Sequence, residues 1–103
     1  MVWKKIGKVG VDSGTLMITD PAYQKDLPNY YKLVGYKEKP RKDFRIIKKG
    51  LAVTFTSGLG DGIYEVEADI GKVDGFGKRV RAIRMNLVPE KSLRIMKKLA
   101  GMS

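Results

Sequence analysis

Ser57-Gly58-Leu59-Gly60-Asp61-Gly62-Ile63-Tyr64-Glu65-Val66 runs from a glycine-rich reversal straight into alternating apolar and acidic residues. The alternation continues through Glu67, Ala68, Asp69 and Ile70. Side chains of an extended chain point to opposite faces in turn, so this pattern predicts a strand with one apolar and one charged face. On the N-terminal side, Leu51, Val53 and Phe55 alternate with Ala52, Thr54 and Thr56, the same period-2 signature of a half-buried strand. A glycine-rich turn between two such runs reads as antiparallel pairing.

A second aspartate-bearing reversal lies near the N-terminus, at Val11-Asp12-Ser13-Gly14-Thr15-Leu16-Met17-Ile18-Thr19-Asp20-Pro21. Asp12-Ser13-Gly14 fits a short hairpin loop, with Gly14 supplying the left-handed residue. Residues 2–11 form the strand before it, with a bulge expected near Gly7 or Gly10. Thr15 to Thr19 returns with Leu16 and Ile18 on one face. Asp20-Pro21 ends it, since proline cannot donate to a ladder.

Gly71 to Gly77 is read as another turn, centred on Asp74-Gly75, and a strand is expected from about Lys78 to Val88. Within it Val80 and Ala82 differ in parity from Ile83, Met85 and Leu87. One extra residue near Ala82-Ile83, a bulge, would bring all five to one face. Arg79, Arg81 and Arg84 would then share the outer face with Glu65, Glu67 and Asp69, where opposite charges contribute about 0.2–1 kcal/mol each. From Pro89 onward, Glu90, the apolar stripe Leu93, Met96 and Leu99 or Ala100, and Gly101 as a cap predict a C-terminal helix over residues 90–100. The expected fold is therefore one mainly β domain of about five or six mostly antiparallel strands. It would form a twisted sheet, small barrel or sandwich, plus that helix.

With 103 residues there is room for a single core. No cysteine and no histidine is present, which removes disulfides, thiol chemistry, the usual general base and the commonest transition-metal ligand. No apolar run approaches the roughly 18 residues that span a bilayer, and the N-terminus lacks a signal-peptide core. A cytoplasmic, non-membrane protein is expected. Asparagine occurs only at Asn29 and Asn86 and glutamine only at Gln24, amid abundant lysine, a composition of thermophilic type.

The formal charge is +10, unevenly spread. Residues 51–88 balance five basic against five acidic side chains, whereas residues 22–50 hold nine against three. This irregular insert also holds Tyr23, Tyr30, Tyr31 and Tyr36, and an unstructured loop of that length would be unusual, so a turn or two of helix or a short strand is expected before Phe44. Tyrosines stack on bases and cations neutralise phosphates. The candidate nucleic-acid surface is accordingly Tyr30, Tyr31, Lys32, Tyr36, Lys37 and Lys39, continued by Arg41, Lys42, Arg45, Lys48 and Lys49. Lys97 and Lys98 of the C-terminal helix join it. The competing reading is a solvated lysine-rich loop with its tyrosines packed beneath.

Asp12, Asp20 and Asp61 all sit at turns. Converging, they would hold Mg²⁺ or Ca²⁺ or form an acid/base pair; apart, each would bond backbone N–H groups. Gly58-Leu59-Gly60-Asp61-Gly62 is no phosphate cradle, because a strand and not a helix follows it. The leading functional reading is a non-catalytic binding module without a cofactor, whose partner is unassigned. The alternatives are a nucleic-acid binder, with an acidic protein as a further kind of partner, and a hard-metal enzyme centred on the three aspartates.

The Asp12-Ser13-Gly14-x-Leu16-x-Ile18-x-Asp20-Pro21-x-Tyr23 block, followed by Gly58-x-Gly60-Asp61-Gly62-x-Tyr64-x-Val66, resembles a group of small prokaryotic and phage proteins of unknown function. The resemblance implies a β-rich fold and no assigned activity. It groups Asp12, Asp20, Asp61 and Tyr64 in one structural unit, with Gly14, Gly60 and Gly62 as its turn residues.

Overall fold

Alternation and turn chemistry place six strands in the computed structural model, which describes residues 2–88. They are β1 (Lys4–Val11), β2 (Thr15–Thr19), β3 (Phe44–Ile47), β4 (Ala52–Thr56), β5 (Gly62–Val73) and β6 (Gly77–Met85). These form two three-stranded antiparallel sheets, ordered β1-β5-β6 and β2-β4-β3, and among the described residues neither closes into a barrel. The hairpins expected at Asp12-Ser13-Gly14 and at the Gly58–Gly62 turn are corrected by this order: β1 and β2 fall in different sheets, as do β4 and β5, so each reversal carries the chain from one sheet to the other and closes no ladder. The chain gathers into two compact units, one of 2–10 with 63–88 among the described residues and one of Val11–Gly62. The helix expected over 90–100, with Lys97 and Lys98, lies outside the described residues.

In the first unit, β5 is the central strand. Its acidic face is paired, as the charge alternation predicts: Arg84 Nε meets Glu67 Oε1 at 3.0 Å and Arg81 Nη2 meets Asp69 Oδ1 at 3.1 Å. Glu65 departs from expectation by taking Lys5 of β1, at 2.9 Å, in place of an arginine. Each of Glu65 and Asp69 is held below the usual carboxylate range, first by the hydrogen bond from its cationic partner. The Arg84 guanidinium also lies 4.4 Å from the centre of the Trp3 ring.

The anticipated bulge is present, one step from its expected position. Asp69 pairs with Ala82 and Ile70 with Val80, leaving Arg81 as the extra residue. This restores Val80, Ile83 and Met85 to the face of Ile70, Ala68 and Val66. Ala82 instead falls opposite Asp69, so it leaves the apolar face. The turn after β5 is also tighter than read: the strand runs to Val73, Phe76 N–H donates to Val73 O (2.9 Å), and Gly77 already opens β6.

The second unit inverts the usual burial. Register sets Leu16, Phe55 and Phe44 across one face, followed by Ile18, Val53 and Ile46. That apolar face is open, with Ile18 59 % and Ile46 65 % exposed. The opposite face carries Ala52, Thr54 and Arg45, and all three are buried. The insert contributes Glu38 to this face, and Arg45 is satisfied there by Glu38 and Thr54 Oγ1, as buried polar groups require. The insert contains a 3-10 helix (Pro21–Asp26) and a helix α1 (Tyr30–Val34), as its length requires.

Candidate functional site

Helix α1 begins at Asn29, whose backbone is extended and whose Oδ1 accepts the Lys32 N–H at 3.1 Å. It ends at Gly35, whose φ of +67 closes a Schellman turn: Gly35 N–H donates to Lys32 O (3.3 Å) and Tyr36 N–H to Tyr31 O (3.0 Å). Caps at both ends stabilise a helix too short to persist by propensity alone. The turn brings three rings together. Tyr30 and Tyr31 meet edge to face with centroids 5.6 Å apart, and Tyr31 and Tyr36 do so at 5.3 Å. Far from packing beneath the loop, the rings stay 57 %, 61 % and 70 % exposed for Tyr30, Tyr31 and Tyr36.

Beside Tyr31 and Tyr36 opens a cleft of about 590 Å³, further lined by Asn29, Lys32, Gly35, Lys37 and Glu38. One wall is fixed by a guanidinium. Arg45 Nε and Nη2 donate to Glu38 Oε2 and Oε1 at 2.8 and 2.6 Å, a bidentate fork, and the Lys42 N–H adds a third bond at 3.0 Å. The hydrogen bond from Arg45 and that amide hold the Glu38 carboxyl down to about 2. Arg45 sits in the buried face of the β2-β4-β3 sheet, so this pair pins the cleft to the sheet.

The candidate cations therefore divide by residue type. Arg45 is buried and committed to Glu38. Arg41 reaches back to the Asp12-Ser13-Gly14 reversal, donating to Ser13 O (3.2 Å) and Thr15 Oγ1, and to Val34 O at the end of α1 (3.0 Å). Both arginines tie the insert down: Arg45 spends its charge on Glu38, whereas Arg41 is exposed and bonds neutral oxygens only. Lys32, Lys37, Lys39, Lys42 and Lys49 are exposed, and among the described residues their ammonium groups have no ion pair or hydrogen bond. Lys48 Nζ donates to the Asp26 carbonyl at 3.1 Å and keeps its charge unpaired. Lys48 and Lys49 also hold left-handed backbone, with φ of 46° and 56°, at the β3–β4 reversal.

The aspartates act separately. Asp61 Oδ1 accepts the Gly14 N–H (2.9 Å), while Ser57 N–H donates to Gly14 O (3.0 Å) and Ser57 Oγ to Gly60 O (2.9 Å). The two aspartate-bearing reversals are thus clasped to each other. Asp20 Oδ1 caps the 3-10 helix through the Ala22 N–H at 2.9 Å, and Asp12 is exposed. Among the described residues no three carboxylates group to hold a metal ion. Tyr64 is buried and belongs to the first unit, and the three aspartates belong to the second.

No known family, curated protein or solved structure matches this chain. Its site must be read from its own residues.

Asn29, Gly35 and Glu38 belong to the site and were not singled out from the sequence. A signal exists for the first two: Pro28-Asn29 before Tyr30 and Gly35 after Val34 are start and stop marks of a short helix. Glu38 has none, because its partner Arg45 is identified only by the fold.

Proposed function

We propose that this protein is a non-catalytic binding module for nucleic acid, with its working surface on the insert at α1 and the following lysines. The supporting observation is an imbalance in pairing. Among the described residues, the carboxylates of β5 each take a basic partner, while in the insert Arg45 alone is ion-paired and its lysines keep their charge unpaired. Unpaired exposed cations cost nothing to redirect toward phosphates, and each displaces a condensed counterion when it does so. The two left-handed lysines point the same way: glycine or asparagine would relax that reversal, so retained strain there suits a ligand-facing position.

The test is the salt dependence of binding to a labelled 20-mer, from 50 to 300 mM KCl. Affinity should fall steeply, and Lys32→Ala/Lys37→Ala/Lys39→Ala should flatten the log–log slope by about 2, at about 0.7 per lost phosphate contact. Lys4→Ala/Lys8→Ala serves as the control. A slope unmoved by the insert substitutions would place the surface elsewhere.

A further inference from the structure

The tyrosines add a demand that lysines alone do not make. A surface that only gathers phosphates has no use for three aromatic rings held in water by a doubly capped helix, since their apolar faces are better buried. The rings are not spare core: α1 buries none of its residues. Their hydroxyls make no hydrogen bond among the described residues, so no polar contact anchors them either. Tyr36 meets a single ring, Tyr31, which can cover at most one of its two faces, and it is the most exposed of the three at 70 %.

We propose that the cleft beside Tyr31 and Tyr36 receives an unpaired base of a single-stranded nucleic acid. The base stacks on the Tyr36 ring, and Lys32 and Lys37, which line the same cleft, take the flanking phosphates. This rests on the nucleic-acid reading above and adds strandedness to it. In a duplex the base faces are occupied by their neighbours, whereas a single strand can splay a base onto an aromatic platform. A helix that reads a duplex must be long enough to lie in the major groove. Helix α1 has five residues and both its ends are tied down. The carboxamide NH₂ of Asn29, at the cleft edge, forms no hydrogen bond among the described residues, while its oxygen serves the cap; it is placed to donate to a base edge. The Glu38 carboxylate does not repel the strand from the same cleft, because the Arg45 fork neutralises it in place. Stacking tolerates every base, so weak sequence preference is expected.

The experiment compares a fluorescein-labelled single-stranded 12-mer, the duplex of the same sequence and poly-glutamate, by anisotropy on the full chain at 150 mM KCl. The single strand should bind at least about tenfold tighter than the duplex. Tyr36→Leu should weaken it by about 5- to 150-fold, the range for loss of one stacked base, with the salt slope unchanged. Tyr36→Trp should retain the affinity, and its new indole emission should be quenched on adding the strand. Circular dichroism checks that each variant is folded. Equal affinity for strand and duplex, or Tyr36→Leu binding as the parent does, overturns base stacking while leaving phosphate binding intact. Poly-glutamate binding as tightly as either nucleic acid overturns both readings in favour of an acidic protein partner.

Discussion

Adding one methyl group at Gly35 tests whether the fork that pins the cleft is as tight as described. Gly35 has a φ of +67, and a Cβ there would collide with Nε and Nη2 of Arg45 and with Oε1 of Glu38. Two costs add. Left-handed backbone costs an L-residue about 1–2 kcal/mol, and overpacking a close-packed site costs about 1–3 kcal/mol, so Gly35→Ala should destabilise the protein by about 2–5 kcal/mol. Two other glycines separate the terms. Gly75 has a φ of +82 with nothing within 4 Å of an added Cβ, so Gly75→Ala should show the backbone cost alone, about 1–2 kcal/mol. Gly10 lies in β1 with nothing within 4 Å and an ordinary φ, so Gly10→Ala should be neutral or stabilise by about 0.5–1 kcal/mol. Urea unfolding reads the series through the midpoint at constant slope, and at this size each kcal/mol moves Tm by about 4–8 °C. If Gly35→Ala proved no worse than Gly75→Ala, the contact of Gly35 with the Arg45–Glu38 pair would be refuted.

Three further outcomes are expected. Glu38 titrates at about 2 in the fold against 4.5 for a free side chain, so its contribution is complete above pH 4.5 and is lost as pH falls through about 2. Glu38→Gln should therefore flatten the acid limb of a stability–pH curve, and an unchanged limb would show that Glu65 and Asp69, lowered in the same direction, set it alone. Replacing Lys49, at φ 56°, by glycine removes about 1–2 kcal/mol of strain and restores about 0.5–1 kcal/mol of unfolded-chain freedom. Calorimetry should thus show Lys49→Gly slightly more stable, while nucleic-acid affinity falls; a destabilised variant would contradict the left-handed assignment. Trp3 is the sole tryptophan, so Arg84→Ala should change its emission by removing the guanidinium 4.4 Å from the ring. An identical spectrum would mean that the two do not stack.

Much of the fold was legible because its signals are local. Thr15–Thr19 was readable as a strand with a hard stop at Asp20-Pro21, and the alternation from Tyr64 to Ile70 as a strand with a charged face. Even the β6 bulge followed from a parity break, although only the register against Asp69 shows that Ala82 lies on the charged side. Burial in the second unit was not legible. Periodicity separates Val53 and Phe55 from Ala52 and Thr54, yet says nothing of which set will be buried. The tyrosines stand out in the sequence as a group, but their exposure depends on the Asn29 and Gly35 caps that fix the short helix α1.

By itself the sequence determined the strands, the two aspartate-bearing reversals and the place where positive charge accumulates, since alternation, turn residues and charge counts are properties of neighbours along the chain. Tertiary structure alone decided which cations remain available. Arg41 donates to Ser13, 28 residues earlier, and Arg45 is committed to Glu38 at a buried sheet face, while Lys32, Lys37, Lys39, Lys42 and Lys49 stay in water. The reason is physical: a planar guanidinium can be buried when its fork of donors is satisfied, whereas a compact ammonium holds its hydration and remains outside.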